Sequence, residues 1–221
     1  MGISENSFKN ILLGAAFMLA SGATVASEND LCEPFKNAQV DTGLLSAMLQ
    51  AAEKGDLYRI QAGTSKMGFC VDSPLGIVEA QFGSFKGGVA LQQEATQQAA
   101  LVSIDVASLK TDSGFIEAML KSESFFDIEQ YPEILFVSTG FEWLTEEKAI
   151  LKGNLTLHGV TREVAFYVEL SKIKAEPGED RIMVKATTTI QRSEFGMYTL
   201  SPVVSDRVNL CMSVDAYRYR A

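Results

Sequence analysis

The sequence predicts a mainly β protein, an antiparallel arrangement of about eight strands accompanied by two helices. Three observations lead there. Apolar residues recur at every second position through most of residues 57–217, the period of a strand with one face buried. Turn signals such as Thr145-Glu146-Glu147-Lys148, His158-Gly159 and Glu176-Pro177-Gly178-Glu179-Asp180 divide those rows. Helical spacing is confined to two short stretches. Many short strands separated by turns point to a sandwich or a barrel.

Ahead of the β region, residues 11–25 form an almost uncharged apolar stretch preceded by Lys9, and Thr24-Val25-Ala26 places small residues at a peptidase site. Residues 1–26 therefore read as a signal peptide cleaved after Ala26, since the stretch is shorter than the roughly 20 apolar residues of a membrane-spanning helix. Residues 27–56 read as a leader and a helix. Val40, Leu44, Leu45, Met48, Leu49 and Ala52 share one helical face, Asp41 is placed as N-cap, Val40 and Leu45 can staple the first turn, and Gly55 ends the helix. Its polar face lacks the Lys and Arg density of a membrane-surface helix, so it is expected to pack on the main body.

The β domain is expected over residues 57–217. Met67, Phe69 and Val71 alternate with Gly68 and Cys70. Residues 77–91 are rich in Gly and Phe, the composition of bulges and tight barrel corners. Residues 101–106 and 134–144 read as strands, the latter starting just after Pro132. Further rows are Leu151, Gly153, Leu155 and Leu157; Val164, Phe166, Val168 and Leu170; Ile182, Val184, Ala186, Thr188 and Ile190; and Val208, Leu210, Met212, Val214 and Ala216. Thr111, Asp112 and Ser113 cap a second helix, in which Phe115, Ile116, Met119 and Leu120 recur at helical spacing. That helix is placed over one end of the barrel.

Composition narrows the function classes. A net charge of −9 argues against nucleic acid and against electrostatic docking on anionic lipid. Three cysteines in an exported chain imply one disulfide and one spare thiol among Cys32, Cys70 and Cys211, with the pairing open. Cys70 and Cys211 lie on the outward phase of their strands, so a bond from Cys32 to either would staple the leader to the barrel. The only histidine, His158, sits in a turn and has no second His with which to hold a metal or run a nucleophile relay. No nucleophile elbow, phosphate-cradling loop or dinucleotide fingerprint is present, and most carboxylates fall on turns and polar strand faces. Binding is expected rather than turnover, with no catalytic residue and no metal. An eight-stranded barrel is just wide enough to be filled by side chains or to hold one small ligand, and apolar inward rows would select an apolar one.

Several ordered motifs carry a resemblance. Ser103-Ile104-Asp105-Val106-Ala107-Ser108-Leu109-Lys110-Thr111 runs into the second helix, and Leu120-Lys121-Ser122-Glu123-Ser124-Phe125-Phe126-Asp127 follows it. Then come Tyr131-Pro132-Glu133-Ile134, Phe136-Val137-Ser138-Thr139 and Gly153-Asn154-Leu155-Thr156-Leu157-His158-Gly159-Val160-Thr161. Thr188-Thr189-Ile190-Gln191-Arg192-Ser193-Glu194-Phe195-Gly196 closes the series. Together they resemble the YceI-like family of lipid- or polyisoprenoid-binding proteins.

The resemblance implies an eight-stranded antiparallel lipocalin-like barrel, periplasmic, enclosing an apolar channel for an isoprenoid chain such as that of a quinone or polyprenyl lipid, with no cofactor and no catalytic machinery. By that analogy Phe69, Val71, Phe82, Phe85, Phe136 and Leu155 line the channel with Phe166, Val184 and Leu210, while Phe125 and Phe126 sit at its mouth beneath the helix. Where many members carry a basic or histidine-containing segment, this chain has Val71-Asp72-Ser73-Pro74. The reading is a periplasmic carrier for an apolar lipid. Its rival is an accessory scaffold that docks on a membrane redox or envelope complex through the N-terminal helix and Cys32.

Overall fold

The computed structural model describes residues 42–92, 98–174 and 180–219. The expected signal peptide, the leader with Cys32, the Asp41 cap, the Val40 staple and the 176–179 part of the expected loop lie outside the described residues. The chain runs through α1 (Thr42–Lys54), β1 (Leu57–Ile60), β2 (Lys66–Ser73), β3 (Gly76–Phe82), β4 (Phe85–Ala90), β5 (Ala99–Asp105), β6 (Leu109–Lys110) and α2 (Gly114–Lys121). Five long strands follow: β7 (Glu133–Trp143), β8 (Lys148–Leu157), β9 (Val160–Lys174), β10 (Asp180–Gln191) and β11 (Arg207–Arg218).

Every pairing is antiparallel, and β1, β4, β5, β7, β8, β9, β10 and β11 close into a ring because β1 pairs with both β4 and β11. The remaining segments prolong members of the ring: β2 pairs with β11 and β3, and β3 pairs with β6. Eleven segments thus build eight strands, three of them bent. β1 turns into β2 through a 3₁₀ turn at Ala62–Thr64, β3 into β4 at Gly83-Ser84, and β5 into β6 through a 3₁₀ turn at Val106–Ser108. The last two bends are bonded to each other, Gly83 N–H donating to Ser108 O (3.2 Å) and Asp105 N–H to Ser84 O (3.0 Å), so adjacent strands bend together without losing their ladder.

The seam between first and last strand is pinned by an aromatic–cation pair of sequence-distant residues: Arg218 lies over the Tyr58 ring at 5.6 Å and donates to the Tyr58 hydroxyl (3.2 Å). A second such pair holds the neighbouring β10–β11 ladder, where Arg181 lies 5.7 Å from the Tyr217 ring centroid. Across the barrel, the β8–β9 connection is a two-residue turn with His158 at φ 52° and Gly159 at φ 71°, the positive pair that suits the twist of a tight hairpin.

Two apolar clusters follow from the alternation. The barrel interior collects the inward rows, with Met67, Phe82, Leu109, Phe166, Ile182 and Phe195 among them. A second cluster lies outside the barrel, where Leu44, Leu45, Met48 and Ala51 of α1 pack on Leu57, Ala90, Leu101 and Leu135. Leu49, expected on the packing face, points outward instead, because it lies about 100° around the helix from Met48. Gly55 ends α1 as expected, at φ 73°: its N–H donates to Ala52 O (3.1 Å) and the Asp56 N–H to Ala51 O (2.7 Å), which satisfies two terminal carbonyls.

Candidate functional site

The barrel is hollow. A cavity of about 680 Å³ runs through its interior, within the range that buries a single small ligand. Of the side chains expected to line a channel, Phe69, Val71, Phe82, Phe136, Leu155, Phe166, Val184 and Leu210 face it, as do Phe125 and Phe126. Phe85 does not. It is buried in the same interior cluster, but Gly83-Ser84 shifts the alternation by one residue, so Phe82 and Phe85 both point inward from different segments and only Phe82 reaches the cavity. Phe136 points inward as expected and meets Phe166 edge-on at 5.3 Å and 85°.

Phe126 is a buried component of the cavity wall, not an outlying mouth residue. Its ring lies 5.7 Å from Phe69 and 6.2 Å from Phe82, the latter at 89°. These three rings join the turn after α2 to β2 and β3. α2 itself presents Ile116, Met119 and Leu120 to the cavity. Ser113 caps it, its hydroxyl accepting from Ile116 N–H (3.4 Å), and Glu117 pairs with Lys121 (2.9 Å) and Lys110 (3.0 Å) on the solvent side. Those two ammonium groups hold the Glu117 carboxyl below its usual range, with the Lys121 hydrogen bond as the larger cause.

The cavity reaches solvent at one end. Pro74, Leu75, Phe115, Leu200 and Val203 line it and are themselves exposed. They come from the β2–β3 turn, the start of α2 and the segment joining β10 to β11. Leu75, Leu200 and Val203 did not stand out in the sequence, because an apolar residue in a turn has no periodicity to mark it, whereas Phe115 belongs to the helical row expected over the barrel end.

The conformation of that joining segment centres on Arg192, a buried cation at the cavity end. Its guanidinium donates to four backbone carbonyls: Ser205 (3.0 Å), Met197 (2.9 Å), Thr199 (2.7 Å) and Val204 (3.1 Å). The fork of fixed donors suits that task, which a lysine point charge cannot copy. Beside it, Asp206 accepts from the Ser193 hydroxyl (2.7 Å) and the Ser193 N–H (2.9 Å); these bonds, the hydroxyl first, hold its carboxyl below the usual aspartate value.

Among the described residues no group of three His, Cys, Asp or Glu side chains converges. His158 is occupied structurally, Nδ1 lying 3.2 Å from Phe195 O and its ring 4.6 Å from that of Tyr131. On the outer face, Cys70 and Cys211 are free thiols one diagonal apart, since Cys70 opposes Asn209 and Cys211 opposes Gly68. Burial first, then the neighbouring Cys70, pushes the Cys211 thiol up.

A family model for the YceI-like domain matches residues 58–216. A UPF0312 protein of Pseudomonas putida (strain W619) is 28% identical over 219 residues, spanning 98% of this chain and 99% of the relative. One from Photorhabdus laumondii is 30% identical over 128 residues, spanning 58% of this chain and 66% of the relative. Among solved structures, the fold is similar to BcnA of Burkholderia cenocepacia, with a TM-score of 0.64 at 23% identity over 71% of this chain and 98% of that one. It is also similar to a polyisoprenoid binding domain from Saccharophagus degradans implicated in plant cell wall breakdown, with a TM-score of 0.59 at 17% identity over 73% and 98%.

Proposed function

The chain belongs to the YceI-like domain family, and on that premise we propose that it is an exported, periplasmic carrier that holds one long apolar molecule, an isoprenoid chain of the quinone or polyprenyl kind, inside its barrel. The observation that carries this reading is the cavity, enclosed by aromatic and aliphatic side chains from all around the barrel and open at one end. Removing an apolar chain from water favours occupancy by about 25 cal/mol per Å² before the costs of association. The name of the Saccharophagus degradans structural relative, a polyisoprenoid binding domain, supports the ligand class. Export rests on the apolar leader and the peptidase site at Ala26.

Binding without catalysis agrees with a cavity whose one charged lining residue, Arg192, is saturated by backbone carbonyls. The scaffold reading gains no support from α1, whose apolar face is covered by the barrel wall. Organic extraction of the protein purified from its native host, followed by mass spectrometry, tests the carrier reading; a co-purifying isoprenoid is expected. Protein that is consistently empty and also fails to bind quinone and polyprenol analogues would overturn it.

A further inference from the structure

The cavity mouth carries more exposed apolar surface than an opening requires. Leu75 is 92% exposed, Phe115 78% and Val203 60%, although all three also line the cavity. Ile77 and Tyr198, in two of the same segments, are exposed as well. Clustered exposed apolar groups rimmed by polar residues mark a surface that something covers.

The charge pattern says what. The ring comes from residues 73–78, 113–116 and 195–205, and these segments contain no charged residue in a chain of net charge −9. The first charged residue on either side of each segment is acidic: Asp72 and Glu79, Asp112 and Glu117, Glu194 and Asp206. Of these, Glu117 is ion-paired with lysines. An uncharged apolar ring bordered by single acidic residues and by ion pairs, Arg207 following Asp206, lacks the cluster of Lys and Arg that anionic lipid attracts. Nor is the ring a slack loop. Arg192 binds its third segment through four carbonyls, and Leu200 is held there at φ 59°, a region that bulky residues avoid.

We propose that this uncharged ring docks the cavity mouth on the surface of an electrically neutral phospholipid bilayer, so that an apolar ligand passes between bilayer and cavity without crossing water. The proposal rests on the carrier reading above. Its physical basis is continuity: the side chains that would touch acyl chains are the ones that begin the cavity lining, so the ligand's apolar surface is never hydrated during transfer.

The test is co-flotation of the purified protein with vesicles of phosphatidylcholine alone. The comparison is with the triple variant Leu75→Asp/Phe115→Asp/Val203→Asp and with the single variant Phe115→Asp, whose site is too exposed to affect folding. Leu144→Asp, an exposed leucine at the far end of the barrel, is the control. Uptake of decyl-ubiquinone from solution, without vesicles, is measured on all four proteins. Wild type and Leu144→Asp should float at high salt and take up the quinone, and the triple variant should bind vesicles about a hundredfold more weakly while keeping the wild-type urea-unfolding midpoint, which separates lost docking from lost fold. Flotation undiminished in the triple variant, or absent in wild type, overturns the docking proposal. So does a wild-type dimer that the triple variant dissociates without any flotation, which would make the ring a self-contact. Flotation with no quinone uptake by any protein sustains docking while removing the carrier reading.

Discussion

The ring of Phe136 occupies the space that a side chain at Gly153 would fill: a Cβ there would stand 2.5 Å from Phe136 Cζ and 2.6 Å from Val137 O. The inward row of β8 thus has a gap between Leu151 and Leu155, and a neighbouring strand fills it. The gap lets a phenylalanine lie against the barrel wall, edge-on to Phe166, instead of across the cavity.

Gly153→Val is therefore expected to push the Phe136 ring toward the cavity and to strain the β7–β8 ladder. Stability should fall by about 1–3 kcal/mol, as for other overpacked cores. Uptake of a quinone analogue should fall further than in a variant destabilised equally elsewhere. Denaturant midpoints and quinone titration check both. Unchanged stability and uptake would mean that the ring has somewhere else to go.

Arg192→Met should leave four backbone carbonyls without their donor and cost about 3 kcal/mol, with part recovered by water at the exposed end of the segment. Arg192→Lys should be nearly as costly, because one ammonium cannot span the four acceptors. Limited proteolysis should cut both variants first within residues 196–205. Cleavage no faster than in wild type would show that the segment holds itself.

Asp206 gives stability an acid limb with a definite sign. Its folded carboxyl is held below the unfolded value of about 3.9, so its contribution is complete above that pH and is lost as pH falls through the lower, folded value. Asp206→Asn should be less stable than wild type at neutral pH, and the gap should narrow below about pH 4. Urea unfolding across the acid range measures it; parallel curves for the two proteins would remove Asp206 from the account.

Cys70 and Cys211 are expected to form the disulfide when the reduced protein meets oxidised glutathione. The two thiols give up two protons and two electrons, and glutathione disulfide is reduced to two thiols. The raised Cys211 thiol means that its thiolate is scarce at neutral pH, so the reaction should accelerate as pH rises. Peptide mapping without reductant should find Cys70 linked to Cys211; a link from Cys32 to either would favour a stapled leader instead.

Much of this was legible in the chain because one period governs it. The rows from Leu151 to Ala216 place each side chain correctly, since a strand in a closed ring has one inside and one outside. His158-Gly159 was legible as a turn because two successive positive φ values call for such a pair. The bends were not legible. Gly83-Ser84 and the 3₁₀ turn at Val106–Ser108 answer each other across a ladder that forms only in the closed barrel, and Phe85, though it points inward as expected, lies in the packed part of the interior and not along the cavity. Arg192 lay inside a quoted motif with no role attached, since its four acceptors become visible only when the segment folds back on it.

The seam where Tyr58 meets Arg218 has a consequence for timing. A ribosome delivers β1 early and β11 last, and residues about 160 positions apart must find each other before the ring exists. Until then β1 and β2 show bare edges that can recruit other chains, and no interior is available to a guest. Occupancy is thus tied to completion: a chain stopped short of residue 207 is not a weaker container but no container at all.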